Sequence, residues 1–476
     1  MNIISSYSKA VKEHSGAFEA SVRIYRAAVD FFIGIIDSEW CSLSAFGIGT
    51  SGMKAVEAMT VTTSSRRTVP HDFSKADRRF FKMPCYLRRA AIIETLGKVS
   101  SYRSSLARWD TSSLKTRGRR PGRPKAGYAY PVLYRGNMYL DGDKYSARIK
   151  VFVRNTWDWV TVTFRKSDAD YFERHCQPFK DGNGAMESRR IGAPTLRKRH
   201  RKWHLDFPVM EDIRLPKSSP SGQTVLSVDL GIRSACTCCV MRPDGTVLAR
   251  ETLSLAREND CLGHAVNRIK KAQQHGAKKT PRLWAYAKGI NDRIAVRTAS
   301  FITETAVRYG ADVIVMEHLD VSGRKRGSKK QRLHLWKCQY VQEMVTQKAH
   351  RNGIRVSRVC AWNTSRLAFD GSGRVLRGRE SARTGGSYSV CEFPTGKIYN
   401  CDLNAAYNIG ARYFVREIMK SLPARERLLL EAKVPPVCKR STCTLSALIS
   451  LNAELMALRH EPLSPGRICS KAVPAS

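Results

Sequence analysis

Three acidic residues, Asp229, Glu317 and Asp402, stand in local sequences that could bring carboxylates together. Asp229 ends the apolar run VLSVD, Glu317 ends the run VIVME, and Asp402 opens the alanine-rich stretch DLNAAYNIGA. Hydrolysis of a phosphodiester requires an activated water and stabilised charge on the attacking and leaving oxygens, which two Mg²⁺ ions roughly 4 Å apart provide. Mg²⁺ takes hard oxygen ligands and keeps several waters, so two or three carboxylates suffice. The three residues therefore predict a nuclease site that binds two Mg²⁺ ions.

Each of these residues also has an ordinary structural interpretation. An Asp at the end of a strand can be a turn or capping residue, and Asp402 precedes a helical stretch as a natural N-cap. The joint pattern favours a catalytic site over these separate interpretations. Within that site we expect Asp229 to bridge the two ions, because a strand end holds it rigidly and Gly231 permits close backbone approach.

The order of elements around the acidic residues predicts the sheet that positions them. Apolar runs, turn residues and helical periodicity give a strand over 225–228, a turn over 243–245, a strand over 246–255, a strand over 313–316, a helix over 333–352 and a strand over 353–356. A long basic helical section separates the second and third strands. This order is that of an RNase H fold, so we expect an α/β nuclease domain.

The overall charge restricts the class of partner. Lys and Arg number 82 against 41 Asp and Glu, which gives a net charge of +41 over 476 residues. So large a positive charge would repel itself in the compact state, which favours a polyanionic partner. Nucleic acid is the expected partner. The sequence shows neither an apolar run near the roughly 20 residues of a membrane span nor a signal-peptide pattern. Fourteen cysteines without a compact framework favour reduced thiols, so we expect a cytoplasmic protein with no membrane partner.

Changes in periodicity divide the chain into four expected stretches. Residues 1–125 are expected to form a mainly helical lobe with long helices near 18–36 and 84–109, and the first residues could join the next stretch. Residues 126–222 alternate with period two, which predicts a small β-barrel or sheet. The expected nuclease domain covers residues 223–420, and residues 421–476 form an extension that matches no motif and has no assigned role.

Clustered basic residues outside the acidic motifs are expected to contact nucleic acid. Their shared property is a side chain that can neutralise phosphate charge. A charge run is often only a solvated surface, but the net charge of this chain favours binding. The predicted contact residues are Arg119, Arg120, Arg123, Arg197, Lys198, Arg199, Arg201, Lys202, Lys270, Lys271, Arg324, Lys325, Arg326 and Arg383.

Four motifs, in their order and separations, resemble those of a known family. They are DLGI at 229–232, VMEHL at 315–319, WNTSR at 362–366 and DLNAAYNI at 402–409. These motifs resemble the split RuvC domain of transposon-associated TnpB nucleases and of their descendants, the compact type V CRISPR effectors.

The resemblance implies an architecture, an activity and partners. It implies a helical recognition lobe and a β-barrel wedge domain ahead of an RNase H-like RuvC domain. It further implies an RNA-guided DNA endonuclease with one RuvC site, acting in a prokaryotic cytoplasm and at the nucleoid when bound to DNA. The implied partners are a guide RNA and double-stranded target DNA with a short flanking motif, so that base pairing carries sequence specificity.

Two departures from the family's pattern bear on the site. Relatives commonly carry two CxxC pairs between the second and third acidic motifs, which is a zinc-ribbon signal. The only cysteine within residues 363–400 is Cys391, and the next one is Cys401, ten positions later, so no CxxC pair is present. We therefore predict no structural zinc. Asn400 stands where relatives often have an acidic residue, although a neutral Asn can still accept a hydrogen bond from a metal-bound water.

The insert 363–400 is rich in glycine and also contains several arginines, Arg383 among them. Glycines would make it mobile and arginines would give it positive charge, so we predict that it acts as a lid that closes over the substrate.

Two other classes of function remain open from the sequence. A guide-RNA-dependent DNA-binding repressor would need the same nucleic-acid surfaces but no metal chemistry, and the intact acidic triad disfavours it. A transposase or Holliday-junction resolvase without RNA would share the RNase H site, but it would leave the large basic first half unexplained.

Overall fold

The chain divides into two compact units, residues 2–212 and residues 213–476, and each is described by itself. The computed structural model describes residues 2–13, 15–113, 118–176, 189–199, 201–213, 215, 218–231, 234–319 and 337–460. Among these residues there is no helix whose length and apolar character would let it cross a membrane.

Within the described residues, six α-helices build much of the N-terminal unit. They are α1 (Gly16–Ser38), α2 (Trp40–Leu43), α3 (Thr50–Thr60), α4 (Phe73–Ala76), α5 (Cys85–Thr111) and α6 (Lys166–Cys176). The apolar stripe on α1 is buried, with Phe18, Tyr25 and Phe32 fully enclosed, and α1 packs against α5. The Tyr25 hydroxyl also donates a hydrogen bond to Glu94 of α5 at 2.8 Å. Both long helices that the sequence predicts are therefore confirmed.

In the part of this unit that the structure describes, seven strands form two antiparallel sheets. They are β1 (Asn2–Ala10), β2 (Tyr139–Asp141), β3 (Ser146–Val153), β4 (Thr156–Thr163), β5 (Arg189–Ile191), β6 (Thr195–Arg199) and β7 (Lys202–Asp212). One sheet has the order β2-β3-β4, and in the other β7 pairs with β1, β5 and β6. Because β1 pairs with β7 along its whole length, the first residues of the chain join the β-rich part.

The β-barrel expected in this unit is not found as a closed barrel within the described residues. One isolated bridge, Val11 to Phe164, joins the residues that directly follow β1 and β4, and another, Val132 to Thr195, joins the segment before β2 to β6. A closed barrel requires continuous pairing around the whole circuit. These isolated bridges do not supply it, so the described strands form two linked open sheets.

A five-stranded mixed sheet is the centre of the C-terminal unit. Its strands are β8 (Val225–Asp229), β9 (Ser234–Met241), β10 (Val247–Ser254), β11 (Val313–His318) and β12 (Arg355–Cys360). They lie in the order β10-β9-β8-β11-β12, with β8, β9 and β10 antiparallel and with β11 parallel to both β8 and β12. The central strands β8 and β11 are apolar and covered on both faces, as parallel strands usually are.

Helices cover both faces of this sheet. They are α7 (Ala256–Gln274), α8 (Pro281–Arg308), α9 (Cys338–Arg351), α10 (Cys401–Ser421), α11 (Ala424–Lys433) and α12 (Leu445–His460). One apolar cluster joins Leu226 and Val228 to α8 and α9, and another joins Val225 to α10 and α12. This alternation follows from the period of two along a strand. The predicted order of strands and helices is confirmed, although residues 333–336 of the expected helix lie outside the described residues.

A small sheet lies within the insert 363–400. Its strands are β13 (Leu376–Arg377), β14 (Val390–Glu392) and β15 (Ile398–Asn400). Beneath it, Val375, Cys391, Phe393 and Cys401 form an apolar cluster of their own. The insert is therefore a folded subdomain directly before α10.

Candidate active site

Asp229 and Glu317 lie at neighbouring ends of two central parallel strands. Asp229 is the last residue of β8, and Glu317 is the next-to-last residue of β11. Val228 pairs with Met316, so Asp229 and Glu317 occupy the next positions on these two neighbouring strands. Equivalent positions on paired strands face the same side of a sheet. The register therefore brings the first two predicted carboxylates together.

Asp402 is placed by the first turn of α10. Asn400 is the N-cap of that helix, and its side-chain oxygen accepts hydrogen bonds from the backbone N–H groups of Asp402 and Leu403, each at 2.9 Å. The capping interpretation of Asp402 is therefore wrong, because Asn400 does this work. The Asp402 carboxylate instead accepts a hydrogen bond from the Ser234 side chain at the start of β9.

The three carboxyl groups act on one another electrostatically. Burial raises the pKa of Asp229 well above its usual value, and the negative charges of Glu317 and Asp402 raise it further. The positive charge of Arg377 opposes this shift. The residues that the sequence selected from three distant segments therefore share one electrostatic neighbourhood.

The other two carboxyl groups are also disfavoured as anions. Burial raises the pKa of Glu317, and a hydrogen bond from Thr364 and the charge of Arg412 only partly offset it. Burial likewise raises the pKa of Asp402, against the hydrogen bond from Ser234. A site with three raised carboxyl pKa values is one that a cation would stabilise.

The donor chemistry fits a hard divalent cation. Three carboxylates supply only oxygen ligands, which is the set that Mg²⁺ prefers while it keeps several waters. Within the described ranges, no three side chains of His, Cys, Asp or Glu converge closely enough to hold one ion. The three carboxylates therefore do not form a closed cage around one ion among the described residues.

Glu317 is held by two hydrogen bonds. The Thr364 hydroxyl donates to its carboxylate oxygen Oε1, and the Gln342 side-chain amide donates to its backbone carbonyl at 2.7 Å. Gln342 is buried on α9, and Thr364 is buried in the loop after β12. Both the backbone and the carboxylate of Glu317 are therefore positioned from outside its own strand.

Two buried asparagines of α10 fix the loop that carries Thr364. Asn408 donates from its side-chain amide to the backbone carbonyls of Thr364 and Leu367, each at 2.9 Å. Asn404 donates to the Leu367 carbonyl and accepts from the Phe369 N–H, both at 2.8 Å. The helix that begins beside Asp402 therefore also positions the loop that orients Glu317.

Arg412 connects the end of β12 and the loop after it to the C-terminal extension. Its guanidinium is buried, and it donates to the backbone carbonyls of Cys360 and Trp362, both at 2.7 Å, of Ser441 at 2.9 Å and of Cys443 at 3.1 Å. These four bonds tie the end of β12 to the segment before α12. The extension after residue 421 is therefore part of the scaffold that surrounds Glu317.

The sequence interpretation did not assign these positioning roles. Asn404, Asn408 and Arg412 recur every four residues, which places them on one face of α10. Polar residues at this spacing in an alanine-rich, buried helix are a recognisable signal for side chains that bind a neighbouring segment. The partner loop at 363–369 could not have been identified from that spacing alone.

Arg377 adds positive charge at the candidate site. It lies on β13, hydrogen-bonds to Ser365 at 3.3 Å, and opposes the raised pKa values of Asp229 and Asp402. The insert 363–400 thus directs one of its arginines toward the carboxylates. Closure of the insert over a substrate stays a prediction.

Several basic residues predicted to contact nucleic acid are engaged within the N-terminal unit. Arg197 and Arg199 of β6 both form ion pairs with Asp206 of β7. Lys198 pairs with Glu19 at 2.6 Å. This run therefore has less unpaired charge than its sequence indicates.

The remaining predicted contact residues differ in their surroundings. Arg123 pairs with Asp37 at 3.0 Å, and Arg383 pairs with Glu392 at 2.8 Å. Both of these arginines are exposed, as are Arg119, Arg120, Arg201, Lys202, Lys270 and Lys271. The members outside the described residues are Arg324, Lys325 and Arg326. Nucleic-acid contact by any of these residues stays a prediction.

Two family models match separate parts of this chain. The model described as Cas12f1-like, TNB domain, matches residues 338–409, and the Aq_aa04 family model matches residues 3–153. The first match spans α9, the WNTSR motif, the insert and Asp402, and it confirms the resemblance to the compact type V, TnpB-like family. A search of curated protein sequences finds no significant match.

Three solved structures illustrate the range of structural similarity. A Cas12f1–sgRNA–target DNA complex has 13% identity, covers 86% of this chain and 98% of its own, and has a TM-score of 0.32. CasPhi-2 (Cas12j) bound to crRNA and phosphorothioate-DNA has 11% identity, with 87% and 91% covered, at a TM-score of 0.43. Thermus thermophilus RuvC has 12% identity, with 40% and 95% covered, at a TM-score of 0.22.

Proposed function

We propose that this chain, whose residues 338–409 are similar to the Cas12f1-like TNB domain, is an RNA-guided DNA endonuclease with a single RuvC-type site. The observation that carries the proposal is the electrostatic neighbourhood of Asp229, Glu317 and Asp402 at one edge of the mixed sheet. A structural role for any one of these residues would not require the other two beside it.

The reaction proposed is hydrolysis of a DNA phosphodiester bond. Two Mg²⁺ ions, when bound, would activate water and neutralise charge on the attacking and leaving oxygens. Asp229, Glu317 and Asp402 would hold them. Asp229 is fixed by the end of β8, Thr364 orients the Glu317 carboxylate, and Asn400 caps α10 so that Asp402 is available.

The proposed partners are a guide RNA and double-stranded target DNA with a short flanking motif. A net charge of +41 suits a chain that holds a long RNA and a duplex together. The TNB-domain match and the RuvC-like motifs support guide-directed targeting over a general affinity for nucleic acid. Base pairing with the guide would then select the sequence that is cut.

The function can be tested by isolating the protein with its RNA. The RNA that copurifies is sequenced, and the complex is incubated with Mg²⁺ and plasmids that carry the matching target beside randomised flanking bases. We expect cleavage only when target and guide match, and we expect Asp229→Ala to abolish cleavage while target binding persists. Asp260→Ala, which removes an exposed Asp of α7 in the same unit, is the matched control and should cut normally.

The two alternative classes give different results in the same experiment. A repressor would bind the target with its RNA, but the unchanged protein would leave the DNA intact under every metal condition. A resolvase or transposase would cut without RNA. Either result would overturn the proposed function.

A further inference from the structure

A basic cavity lies in the C-terminal unit beside the ends of β11 and β12. It has a volume of about 620 Å³, and its walls come from β12, α10, α11 and the segment 435–443. Small-ligand sites typically measure roughly 300–1,000 Å³. One side of the cavity is therefore built by the extension to which the sequence motifs assigned no role.

Positive charge is concentrated in this cavity. Its cationic wall residues are Arg358, Arg412, Arg416, Lys420, Arg427 and Arg440. Among the described wall residues, Glu431 is the one acidic group. A concave wall of one sign focuses the electric field and attracts ions of the opposite sign.

The cations divide into groups that build the wall and groups that are available to a ligand. Arg412 is only 4% exposed and is held by four backbone carbonyls, while Arg416 is held by Glu417 at 2.7 Å. Arg358, Arg427 and Arg440 have exposed side chains, and none of them has an ion-pair partner in the part of the chain that the structure describes. The cavity thus combines a rigid cationic wall with three arginines that can turn toward an anion.

The cavity adjoins the candidate active site. His318, which lines it, directly follows Glu317 on β11. Arg412 lines the cavity and also acts electrostatically on Glu317. A ligand in the cavity would therefore lie close to the carboxylates while contacting a different set of residues.

We propose that this cavity binds phosphate groups of a nucleic-acid strand. Arg358, Arg427 and Arg440 make the contacts, since arginine binds phosphate through paired N–H donors. The anion site follows from the cavity itself, whereas the choice of nucleic acid as the source of the phosphates rests on the proposed function. The bound strand is held beside the carboxylates by the C-terminal extension.

The test uses a thiol inside the cavity as a local probe. Cys438 is exposed and lines the cavity, while Cys261 of α7 is exposed elsewhere in the same unit and serves as the internal control. The full chain, stripped of RNA and carrying Asp229→Asn so that no strand is cut, is alkylated with iodoacetamide and analysed by peptide mass spectrometry. The probes are short single-stranded DNA, short single-stranded RNA and inorganic pyrophosphate.

We expect an oligonucleotide at roughly ten times its Kd to slow alkylation of Cys438 about tenfold, because the free fraction falls to about one-tenth. The rate at Cys261 should not change. The combined variant Arg358→Gln, Arg427→Gln and Arg440→Gln should lose this protection, while the corresponding three Lys substitutions should retain most of it. The matched control, Arg257→Gln, Arg268→Gln and Arg425→Gln, removes equal charge from exposed positions outside the cavity wall and should remain protected.

Each other outcome counts against a defined part of the proposal. Absence of protection by every probe overturns the site, and so does protection that survives the three Gln substitutions. Protection by pyrophosphate but by no oligonucleotide retains an anion site and overturns nucleic acid as its ligand. Failure of the proposed function would appear separately, as absence of cleavage by the protein with Asp229 intact.

Discussion

The hydroxyl of Thr364 donates a hydrogen bond to the carboxylate of Glu317, which joins two segments 47 residues apart. Asn408 of α10 in turn holds the Thr364 carbonyl. The helix that presents Asp402 in its first turn therefore also sets the orientation of Glu317. One helix therefore positions two of the three carboxylates, Asp402 directly and Glu317 through Thr364.

These hydrogen bonds predict a loss of activity without a change at any carboxylate. Thr364→Val removes the hydroxyl at similar shape, so the Glu317 carboxylate loses its orienting donor. We expect the single-turnover cleavage rate to fall about 10- to 100-fold, as is usual when a group that orients a metal ligand is lost. Thr364→Ser keeps the donor and should cut at nearly the normal rate. Equal rates for the Val variant and the unchanged protein would contradict a positioning role.

The N-cap of α10 predicts a stability effect at Asn400. Asn400→Ala leaves the N–H groups of Asp402 and Leu403 without their side-chain acceptor, which should lower the free energy of unfolding by about 1 kcal/mol. Asn400→Asp retains the acceptor and should preserve stability to urea. If the Ala and Asp variants unfold at the same urea concentration, the cap does not contribute as described.

The environment of Glu57 predicts that the stability of the N-terminal unit depends on pH. Burial raises its pKa, but hydrogen bonds from Arg89 and Arg88 outweigh burial and leave the pKa below its usual value. Its contribution to stability is therefore fully present above the unfolded pKa of about 4.3 and is lost as the pH falls through the lower folded pKa.

Urea unfolding of Glu57→Gln at several pH values measures this contribution. At neutral pH we expect the variant to be less stable by about 2 kcal/mol, as for hydrogen bonds to a charged group. The difference should shrink in acid, where the native Glu57 also becomes neutral. Glu19→Gln, which alters the more exposed pair with Lys198, is the control and should have a much smaller effect. A difference independent of pH would exclude an ionic origin.

The nuclease elements could be predicted because their signals are local. The apolar run before Asp229 and the turn at 243–245 each lie within a few residues, and they fix a strand and a hairpin. The role of a side chain is harder to predict when its partner is distant in the sequence or when two neighbouring residues could play the same role. Asn and Asp cap helices about equally well, so the sequence did not decide between Asn400 and Asp402.

The basic run on β6 shows that the ion pairing of charged residues is equally hard to predict from sequence. Its residues were predicted as phosphate contacts from their density along the chain. Thr195 pairs with Asp206 in the β6–β7 hairpin, and this register puts the Asp206 carboxylate within reach of Arg197 and Arg199. Ion pairs across strands depend on register, which the density of charge does not encode.

Binding of Mg²⁺ at the carboxylates predicts a rise in stability that depends on Asp229. A ligand that binds only the folded state at 100 times its Kd stabilises that state by about 2.7 kcal/mol. We expect the midpoint temperature of thermal unfolding, Tm, to rise for the unchanged protein as Mg²⁺ is added and to fall again when a chelator removes the ion. Asp229→Asn should be more stable than the unchanged protein without metal, because it removes one of three neighbouring charges, and it should respond little to Mg²⁺. Asp260→Asn, at an exposed position, should respond normally. A full Mg²⁺ response in Asp229→Asn would place the ion elsewhere.

The insert 363–400 predicts a fold held by apolar packing without zinc. Phe369 packs edge to face against Phe393 and Tyr399, with ring centres 5.5 and 5.2 Å apart, and the buried Cys391 hydrogen-bonds to Cys401. Because these contacts occupy the centre of the small sheet, we expect a zinc chelator to leave hydrogen exchange of β13, β14 and β15 unchanged.

Removal of one aromatic ring from this cluster should, in contrast to chelation, destabilise the small sheet. Phe393→Ala should cost about 3–5 kcal/mol where the cavity cannot collapse, so the amides of the small sheet should exchange faster. Phe393→Leu, which keeps most of the apolar volume, should exchange at an intermediate rate. Faster exchange of the unchanged protein after chelation, together with one bound zinc per chain by elemental analysis, would show that metal rather than this aromatic cluster holds the insert together.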